Sequence, residues 1–274
     1  MLNTTPNALK QKFKKLVLVL LSLYVMISTA LYFLQEKIIF FPSVLEQDYE
    51  YQFNHNFEEL YLNTDDGAAL NAIHFKINNP KGVILYFHGN ADDLSRWGTV
   101  AEFFVEKEYD VLVMDYRTYG KSTGKLSEAA FYSDAQLFYN YLKKLYNEDD
   151  ITLYGRSLGT GIAAHLASKN NPKQLVLETP YYSMSEVGKS RFPILPVEKL
   201  LKYKFPTYKF IKSVSCKITI FHGTNDGVVP YSSAEKLIKA SPKEKTTFIT
   251  IESGNHNNLK TFNLYNSQIE KLLK

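Results

Sequence analysis

Cysteine is almost absent from this sequence, and its scarcity excludes several classes of protein. The chain of 274 residues has a single cysteine, Cys216, so no internal disulfide can form. No group of cysteines and histidines has the spacing of zinc ligands, and neither internal repeats nor low-complexity stretches occur. The composition, 45% hydrophobic and 22% charged, is that of an ordinary globular protein. We expect neither a metal nor an organic cofactor.

A basic surface patch is also missing from the body of the chain. The net charge is +4, and it arises from four lysines in residues 1–15, namely Lys10, Lys12, Lys14 and Lys15. Of the 32 basic side chains, the other 28 balance the 28 acidic ones. A nucleic-acid-binding protein needs basic side chains clustered in its folded part. We therefore expect no nucleic-acid partner.

One long hydrophobic run follows this basic segment. Residues 16–34, LVLVLLSLYVMISTALYFL, carry no charge, and a helix of this length spans about 28 Å, close to the ~30 Å hydrocarbon core of a bilayer. We predict a transmembrane anchor over 16–35, between a basic segment (1–15) and a connecting segment (36–56). The positive-inside rule then places the N-terminus in the cytoplasm and the catalytic domain on the extracytoplasmic side.

A cleaved signal peptide is the alternative interpretation of this run. Its basic start fits, and Ser28-Thr29-Ala30 offers a small-residue cleavage site. The apolar run continues beyond that site to Leu34, however, and so exceeds the usual ~7–15 residues of a signal core. This length favours an uncleaved anchor.

Short apolar runs alternate with amphipathic stretches in the rest of the chain. Strands are predicted at 59–63, 69–76, 82–87, 110–115, 151–154, 174–178, 217–221 and 246–251, and helices at 94–107, 128–147, 159–169, 232–240 and 262–273. Strand–helix alternation with almost continuously apolar strands indicates an α/β fold, here a mostly parallel eight-stranded sheet with helices on both faces. We expect one such domain over 57–274, with its ligand site beyond the carboxyl ends of the strands.

One predicted strand end carries the pattern Gly-x-Ser-x-Gly. Residues 155–159, Gly-Arg-Ser-Leu-Gly, follow the strand at 151–154 and precede a predicted helix. In that setting the serine sits on a sharp turn, and the flanking glycines let neighbouring backbone approach closely. We predict that Ser157 is a catalytic nucleophile; the alternative is an incidental glycine-flanked turn.

A serine hydroxyl needs a base to take its proton, and the chain has six histidines: His55, His74, His88, His165, His222 and His256. His256 lies in the loop after the last predicted strand, where an imidazole can reach over the sheet edge. Asp226 follows the strand at 217–221 and could orient that imidazole. The chain order Ser157, Asp226, His256 is that expected when a nucleophile elbow precedes two later strand-end loops. The alternatives are a surface histidine and an ordinary turn aspartate.

The tetrahedral intermediate of acyl transfer needs two donors aimed at its oxyanion. One is expected to be the backbone N–H of Leu158, directly after the nucleophile. The other is expected from the loop after an early strand, His88-Gly89-Asn90-Ala91, in which Asn90 is the best-placed donor and Ala91 the near alternative. His88 is expected to support this loop by hydrogen bonding.

Two more aspartates lie close to these motifs, and structural roles are expected for both. Asp115 ends a predicted strand, and the nearby Arg117 is expected to be its partner. Asp134 lies on a predicted helix and is expected to support a loop.

Taken together, these motifs resemble the α/β-hydrolase superfamily over about 57–273. More narrowly, the chain looks like membrane-anchored hydrolases with a serine-aminopeptidase-like domain, a group that includes thioesterases acting on acylated proteins. The matching segments are 35–42, 88–91, 115–122, 155–159 and 222–230. The resemblance implies an α/β-hydrolase fold with nucleophile Ser157, acid Asp226 and base His256. Thr118 departs from the pattern, because the family usually has glycine there.

The predicted function is hydrolysis of a carboxylic ester or thioester through an acyl-enzyme, on a small-molecule, acylated or lipid-like substrate. An amidase or peptidase would use the same triad, and a catalytically inactive interaction protein would be expected to have a broken one.

Residues 181–215 are expected to form a small lid over the site. Its apolar side chains could line an acyl pocket or form the core of the lid, and its lysines could face anionic lipid headgroups or solvent. The apolar side chains of this region include Phe192, Ile194, Leu195, Leu200, Leu201, Phe205 and Phe210; its lysines include Lys199, Lys202, Lys204, Lys209 and Lys212.

Overall fold

An eight-stranded, mostly parallel sheet lies at the centre of the protein, in a computed structural model that describes residues 6–274. The strands in this range are β1 Phe41–Pro42, β2 Phe57–Asn63, β3 Ala69–Phe75, β4 Val83–Phe87, β5 Ala91–Asp92, β6 Asp110–Met114, β7 Ile151–Arg156, β8 Gln174–Glu178, β9 Lys217–Gly223 and β10 Thr246–Ile251. The large sheet has the order β10-β9-β8-β7-β4-β6-β3-β2, and β3 alone runs antiparallel to its neighbours. The predicted α/β fold with a mostly parallel eight-stranded sheet is confirmed.

Helices cover both faces of this sheet. They are α1 Pro6–Ile39, α2 Leu94–Val105, α3 Glu128–Leu142, α4 Leu158–Ala167, α5 Met184–Arg191, α6 Val197–Leu200, α7 Thr207–Phe210, α8 Tyr231–Ala240 and α9 Asn263–Leu272. Side chains of α3, α4 and α8 form the core on one face, and those of α2 and α9 form the core on the other. Because both faces are covered, β4 is buried at every position, which explains its unbroken apolar sequence.

Helix ends differ by a few residues from those predicted. α2 begins as expected, because the Asp93 side chain accepts a hydrogen bond from the backbone N–H of Ser95 and caps the helix. α3 ends at Leu142 rather than at 147, and a turn and a short 3₁₀ segment, Glu148–Asp150, lead into β7.

The N-terminal helix α1 extends beyond the predicted anchor in both directions. By length and composition it could cross a membrane, and side chains between 16 and 34 are largely exposed. The lysines of the predicted basic segment lie on its first turns, while residues 1–5 of that segment lie outside the described residues. At its other end Gln35 is buried, and so is Phe40 just after the helix.

The connecting segment at 36–56 lies against the sheet domain. Phe40 packs into the core on one face and Tyr51 into the core on the other. Between them, β1 pairs in parallel with β5, and the backbone N–H of Phe41 donates to the carbonyl of Asn90. The segment that follows α1 is therefore joined to the loop after β4.

The region expected to be a lid contains three short helices, α5 to α7. Its apolar side chains divide between the two expected roles. Phe205 is fully buried in the core, whereas Phe192, Leu195, Leu200 and Leu201 line a cavity. Ile194 is 84% exposed. All six lysines of this region, Lys189 and the five named above, are exposed.

Candidate active site

Ser157 lies on the sharp turn between β7 and α4. Its φ of 50° is in the left-handed region, which non-glycine residues adopt at a cost of ~1–3 kcal/mol when the surroundings enforce it. The flanking glycines allow this turn: a Cβ atom at Gly155 would lie 2.6 Å from the carbonyl oxygen of Gly159, and one at Gly159 would collide with the backbone of Phe87. Glycine is therefore required at both 155 and 159, because a side chain at either position would collide with neighbouring backbone.

Three side chains from separate strand ends meet at this turn. The Ser157 Oγ atom is 2.9 Å from Nε2 of His256, and His256 Nδ1 is 2.8 Å from Oδ2 of Asp226. Since the ionised carboxylate can only accept, the proton on Nδ1 is assigned to this hydrogen bond, and Nε2 is then free to accept from the serine hydroxyl. The structure therefore brings together the serine, histidine and aspartate that the sequence indicated.

The carboxylate of Asp226 is held by donors on several sides. Its Oδ1 accepts the backbone N–H groups of Val228 and Val229, both at 2.8 Å. His222 Nε2 lies 3.4 Å from Oδ2. Burial by itself would raise the pKa of Asp226, but the hydrogen bonds from His222 and His256, with that from Val229, hold it below its ordinary value. Asp226 is therefore ionised and can stabilise a positive charge on His256.

The two residues expected to bind the oxyanion, Leu158 and Asn90, line the cavity together with Ser157. Leu158 is the first residue of α4, and Asn90 lies in the loop after β4. Neither backbone N–H has a hydrogen-bond acceptor within residues 6–274. The Asn90 carbonyl accepts from the hydroxyl of Tyr119 at 2.8 Å, and its side chain donates to the carbonyl of Ile39. These contacts fix the loop and leave its N–H group available.

The interpretation of Arg117 as the partner of Asp115 is wrong. Arg117 donates to both oxygens of Asp134, at 2.8 and 2.9 Å, and to the exposed Asp66. Asp134 thus supports a loop from its helix, as expected. Asp115 instead faces His88, with Nε2 3.3 Å from Oδ1, and His88 Nδ1 lies 2.7 Å from the Gly89 carbonyl. His88 and Asp115 together support the loop that carries Asn90.

Arg156, the residue before Ser157, has a structural role that its place in the sequence did not predict. Its guanidinium group lies 3.4 Å from Glu178 and donates to Asn257, at 3.2 Å, in the loop that carries His256. Arg156 and Glu178 are paired residues on β7 and β8. The sequence offered one signal for this ion pair: a basic residue just after one predicted strand and an acidic residue at the end of the next.

A cavity of about 340 Å³ begins at Ser157. Its walls come from the lid helices, from the last turns of α1 and from the loops that carry Asn90 and Val229. The lining is almost entirely apolar, and among the described lining residues Arg191 is the only charged one. An apolar chamber of this size, with a serine hydroxyl among its lining groups, is typical of sites that bind small apolar molecules.

Comparisons with known proteins identify the family of this chain. Residues 78–215 match the family profile described as serine aminopeptidase, S33 (Hydrolase_4). The chain belongs to this family. An uncharacterized member from Acanthamoeba polyphaga mimivirus is 34% identical over 226 residues, which make up 74% of this chain and 76% of that protein.

Two further similarities concern proteins of named activity. The lysophosphatidylserine lipase ABHD12 of Danio rerio is 29% identical over 196 residues, covering 63% of this chain and 50% of that protein. A solved esterase of Pyrococcus furiosus superposes with a TM-score of 0.67 at 19% identity, covering 85% of this chain and 98% of the esterase. The family is thus one of α/β hydrolases, and the chain is a hydrolase with that fold.

Proposed function

We propose that this chain is a membrane-anchored serine hydrolase that cleaves carboxylic esters or thioesters through an acyl-enzyme. The observation that carries the proposal is the chain of contacts from Asp226 through His256 to Ser157, which ends at an apolar cavity. The lipase and esterase relatives support the same reaction class.

The reaction would begin with attack of the Ser157 oxygen on the acyl carbon. As the new bond forms, the hydroxyl proton passes to His256 Nε2 and the carbonyl electron pair moves onto oxygen. The backbone N–H groups of Leu158 and Asn90 would bind this oxyanion, each contributing about 3 kcal/mol to the transition state. Asp226 stabilises the imidazolium ion that has formed.

The second half returns the enzyme to its starting state. His256 gives its proton to the departing alcohol or thiol, and the bond from the acyl carbon to that group breaks. A water molecule, deprotonated by His256, then attacks the acyl carbon of the acyl-enzyme. The bond to Ser157 breaks, the serine regains its proton and a carboxylic acid leaves.

The lining of the cavity favours an acyl substrate over a peptide with a free amino terminus. An aminopeptidase would need an acidic side chain to bind the substrate ammonium group. Along the cavity wall, the residues that the structure describes include no aspartate or glutamate, and Arg191 would repel an ammonium group. A hydrophobic acyl chain meets no such penalty there.

Membrane anchoring by α1 belongs to the same proposal. The helix presents an exposed apolar surface over its uncharged run, and a cluster of lysines precedes that run. The positive-inside rule then leaves the N-terminus in the cytoplasm and the catalytic domain on the extracytoplasmic side.

Labelling with a fluorophosphonate probe tests the nucleophile directly. Full-length wild type extracted in detergent should be labelled and should hydrolyse p-nitrophenyl esters, whereas Ser157→Ala should lose both activities. Ser267→Ala, at an exposed serine of α9, is the matched control and should behave like wild type. A wild type that is folded but neither labelled nor active would contradict the proposal and favour a non-catalytic interaction protein.

A further inference from the structure

The last turns of the membrane helix form part of the substrate cavity. Leu31, Gln35, Ile38 and Ile39 of α1 line it, opposite the lid. The first three recur at intervals of four and three residues, so they lie on one face of the helix. Between 16 and 34, by contrast, most of the helix surface is exposed.

Gln35 holds this face of the helix against the lid. Its side-chain nitrogen donates to the carbonyl of Leu200 at 3.2 Å, and its side-chain oxygen accepts the backbone N–H of Lys202 at 2.8 Å. The amide thus pairs with the lid backbone in both directions. Gln35 is only 6% exposed although the helix around it is open, so its burial arises from this contact.

A second set of contacts fixes the helix at the next turn. The Tyr203 hydroxyl donates to the carboxylate of Glu36 at 2.7 Å. Phe40 packs against the rings of Tyr203 and Phe131, with centroids 4.8 and 5.5 Å away. These side chains belong to the lid and to α3, so the helix end is docked on the folded domain on two sides.

The cavity also reaches the uncharged run of the helix. Leu31 lies within residues 16–34, and Ser157 lies among the strand ends of the sheet. A chain attached at Ser157 would therefore extend toward the part of α1 that is apolar enough to enter a bilayer. Leu31 is the member of that run that lines the cavity.

We propose that α1 is a specificity element as well as an anchor: its Leu31–Ile38 face closes the acyl cavity and sets the chain length that the enzyme accepts. The substrate class is an ester or thioester of a single apolar acyl chain whose tail lies along the membrane helix. This inference rests on the proposed function, because it assigns the acyl chain to the cavity beside Ser157.

The decisive variants change side-chain volume on the cavity face of α1. In full-length protein in detergent, Leu31→Trp and Ile38→Trp should lower the ratio of kcat/KM for p-nitrophenyl dodecanoate to that for the butyrate. Each methylene of the acyl chain that the tryptophan displaces from the cavity should lower kcat/KM about fourfold. Displacement of two methylenes of the dodecanoyl chain should therefore lower the ratio about tenfold or more. Leu31→Ala, which enlarges the cavity, should raise the same ratio.

Leu34→Trp is the matched control, because Leu34 is on the same turns of the helix but does not line the cavity. Its ratio should stay at the wild-type value. A ratio that is unchanged in both cavity-face tryptophan variants, or that falls equally in Leu34→Trp, would overturn the inference. Fluorophosphonate labelling of each variant confirms that the site has folded.

A binding measurement separates failure of this inference from failure of the proposed function. Radiolabelled dodecanoate should bind the Ser157→Ala protein, and adding Leu31→Trp should weaken that binding about tenfold or more. If the wild type shows no labelling or turnover while this binding shift occurs, the proposed chemistry fails and the cavity assignment holds. If labelling and turnover are normal but binding and chain-length ratio do not move, the assignment fails.

Discussion

The dipeptide His-Gly occurs at the ends of two strands of the sheet, β4 and β9. Each copy lies beside an aspartate, and the pKa values of the two aspartates are shifted in opposite directions. His88-Gly89 follows β4, and His222-Gly223 ends β9. Both imidazoles are fully buried, and both place Nε2 near an aspartate oxygen, at 3.3 Å in the first pair and 3.4 Å in the second. The partner is Asp115 in the first pair, whereas in the second it is Asp226 of the proposed triad.

The hydrogen-bond partners indicate different proton positions in the two pairs. The Gly89 carbonyl can only accept, so the nearby Nδ1 of His88 carries a proton, and in the neutral ring Nε2 turns a lone pair to the carboxylate. His222 has the opposite tautomer. Its Nε2 lies 3.0 Å from the Val229 carbonyl, which can only accept, so Nε2 carries the proton, and Nε2 is also the ring nitrogen that faces Asp226.

The surroundings of the two carboxylates then shift their pKa values in opposite directions. Asp115 accepts one backbone N–H, that of Leu94 at 3.2 Å, and burial raises its pKa. Asp226 accepts several hydrogen bonds, and its pKa is lowered despite burial. The same dipeptide therefore serves loop support in one place and a charged site in the other, according to the donors around the acid.

Matched Asp→Asn substitutions should separate the two pairs most strongly in activity. Asp226→Asn removes the group that orients and stabilises His256, and kcat should fall roughly 10⁴-fold, as in a Ser-His-Asp triad altered in this way. Asp115→Asn should cost less than the ~10²-fold that loss of one oxyanion donor costs, because Asp115 acts only through the loop. Ester turnover by both purified variants measures this, and equal losses would contradict the distinction between the pairs.

Asp226 and Asp115 should contribute to the pH dependence of the protein's stability in opposite directions. With its pKa below the ordinary 3.8, Asp226 contributes stability that is present above pH 3.8 and lost as the pH falls below it. Asp115, with a raised pKa, makes the protein less stable as the pH rises from 3.8 through its folded pKa. Each group changes the unfolding free energy by at most about 1.4 kcal/mol per pH unit.

Urea unfolding across this pH range can be followed by the fluorescence of Trp97, the single tryptophan, whose ring stacks on His88 with centroids 5.4 Å apart. Asp226→Asn should remove the loss of stability on the acid side of pH 3.8, and Asp115→Asn the loss above it. If both substitutions removed the loss of stability on the same side of pH 3.8, the two pairs would not differ as described.

The smallest expected effect concerns the loop that follows Asp115. Thr118 has a φ of 70°, and its buried hydroxyl has no hydrogen-bond partner within the described chain. Thr118→Gly should raise the free energy of unfolding by about 1 kcal/mol, because glycine adopts this conformation without strain. Thr99→Gly, inside α2, is the control and should lower stability by roughly 0.3–0.5 kcal/mol. A loss of stability in Thr118→Gly would show that the side chain supports the loop.

The strand-end residues were the part of the site most open to prediction. Ser157, Asp226 and His256 each follow a strand, and the carboxyl ends of parallel strands meet at one edge of a sheet. Period and turn residues locate those ends along the chain, so residues far apart in sequence could be placed together.

The wall of the cavity followed no such rule. Gln35 bonds to backbone groups 165 and 167 residues away, and nothing in the local sequence of α1 marks it as a contact. α6 and α7 have four residues each, too few to show a helical period. The error at Arg117 has a similar cause, because closeness in sequence suggested Asp115 while the loop turns the guanidinium toward Asp134.

The short pairing of β1 with β5 bears on the residue at which a shortened, soluble form of this enzyme should begin. The backbone of 41–45 donates to the carbonyls of Asn90, Asp92 and Gly120, and Ser43 accepts from Gly120 in return. A fragment that began at residue 57, where the first strand of the large sheet starts, would keep every strand of that sheet. It would nevertheless leave the carbonyls of Asn90, Asp92 and Gly120 without these donors, and it would remove Phe40 and Tyr51 from the two cores. A fragment without residues 16–34 should therefore begin before Phe40.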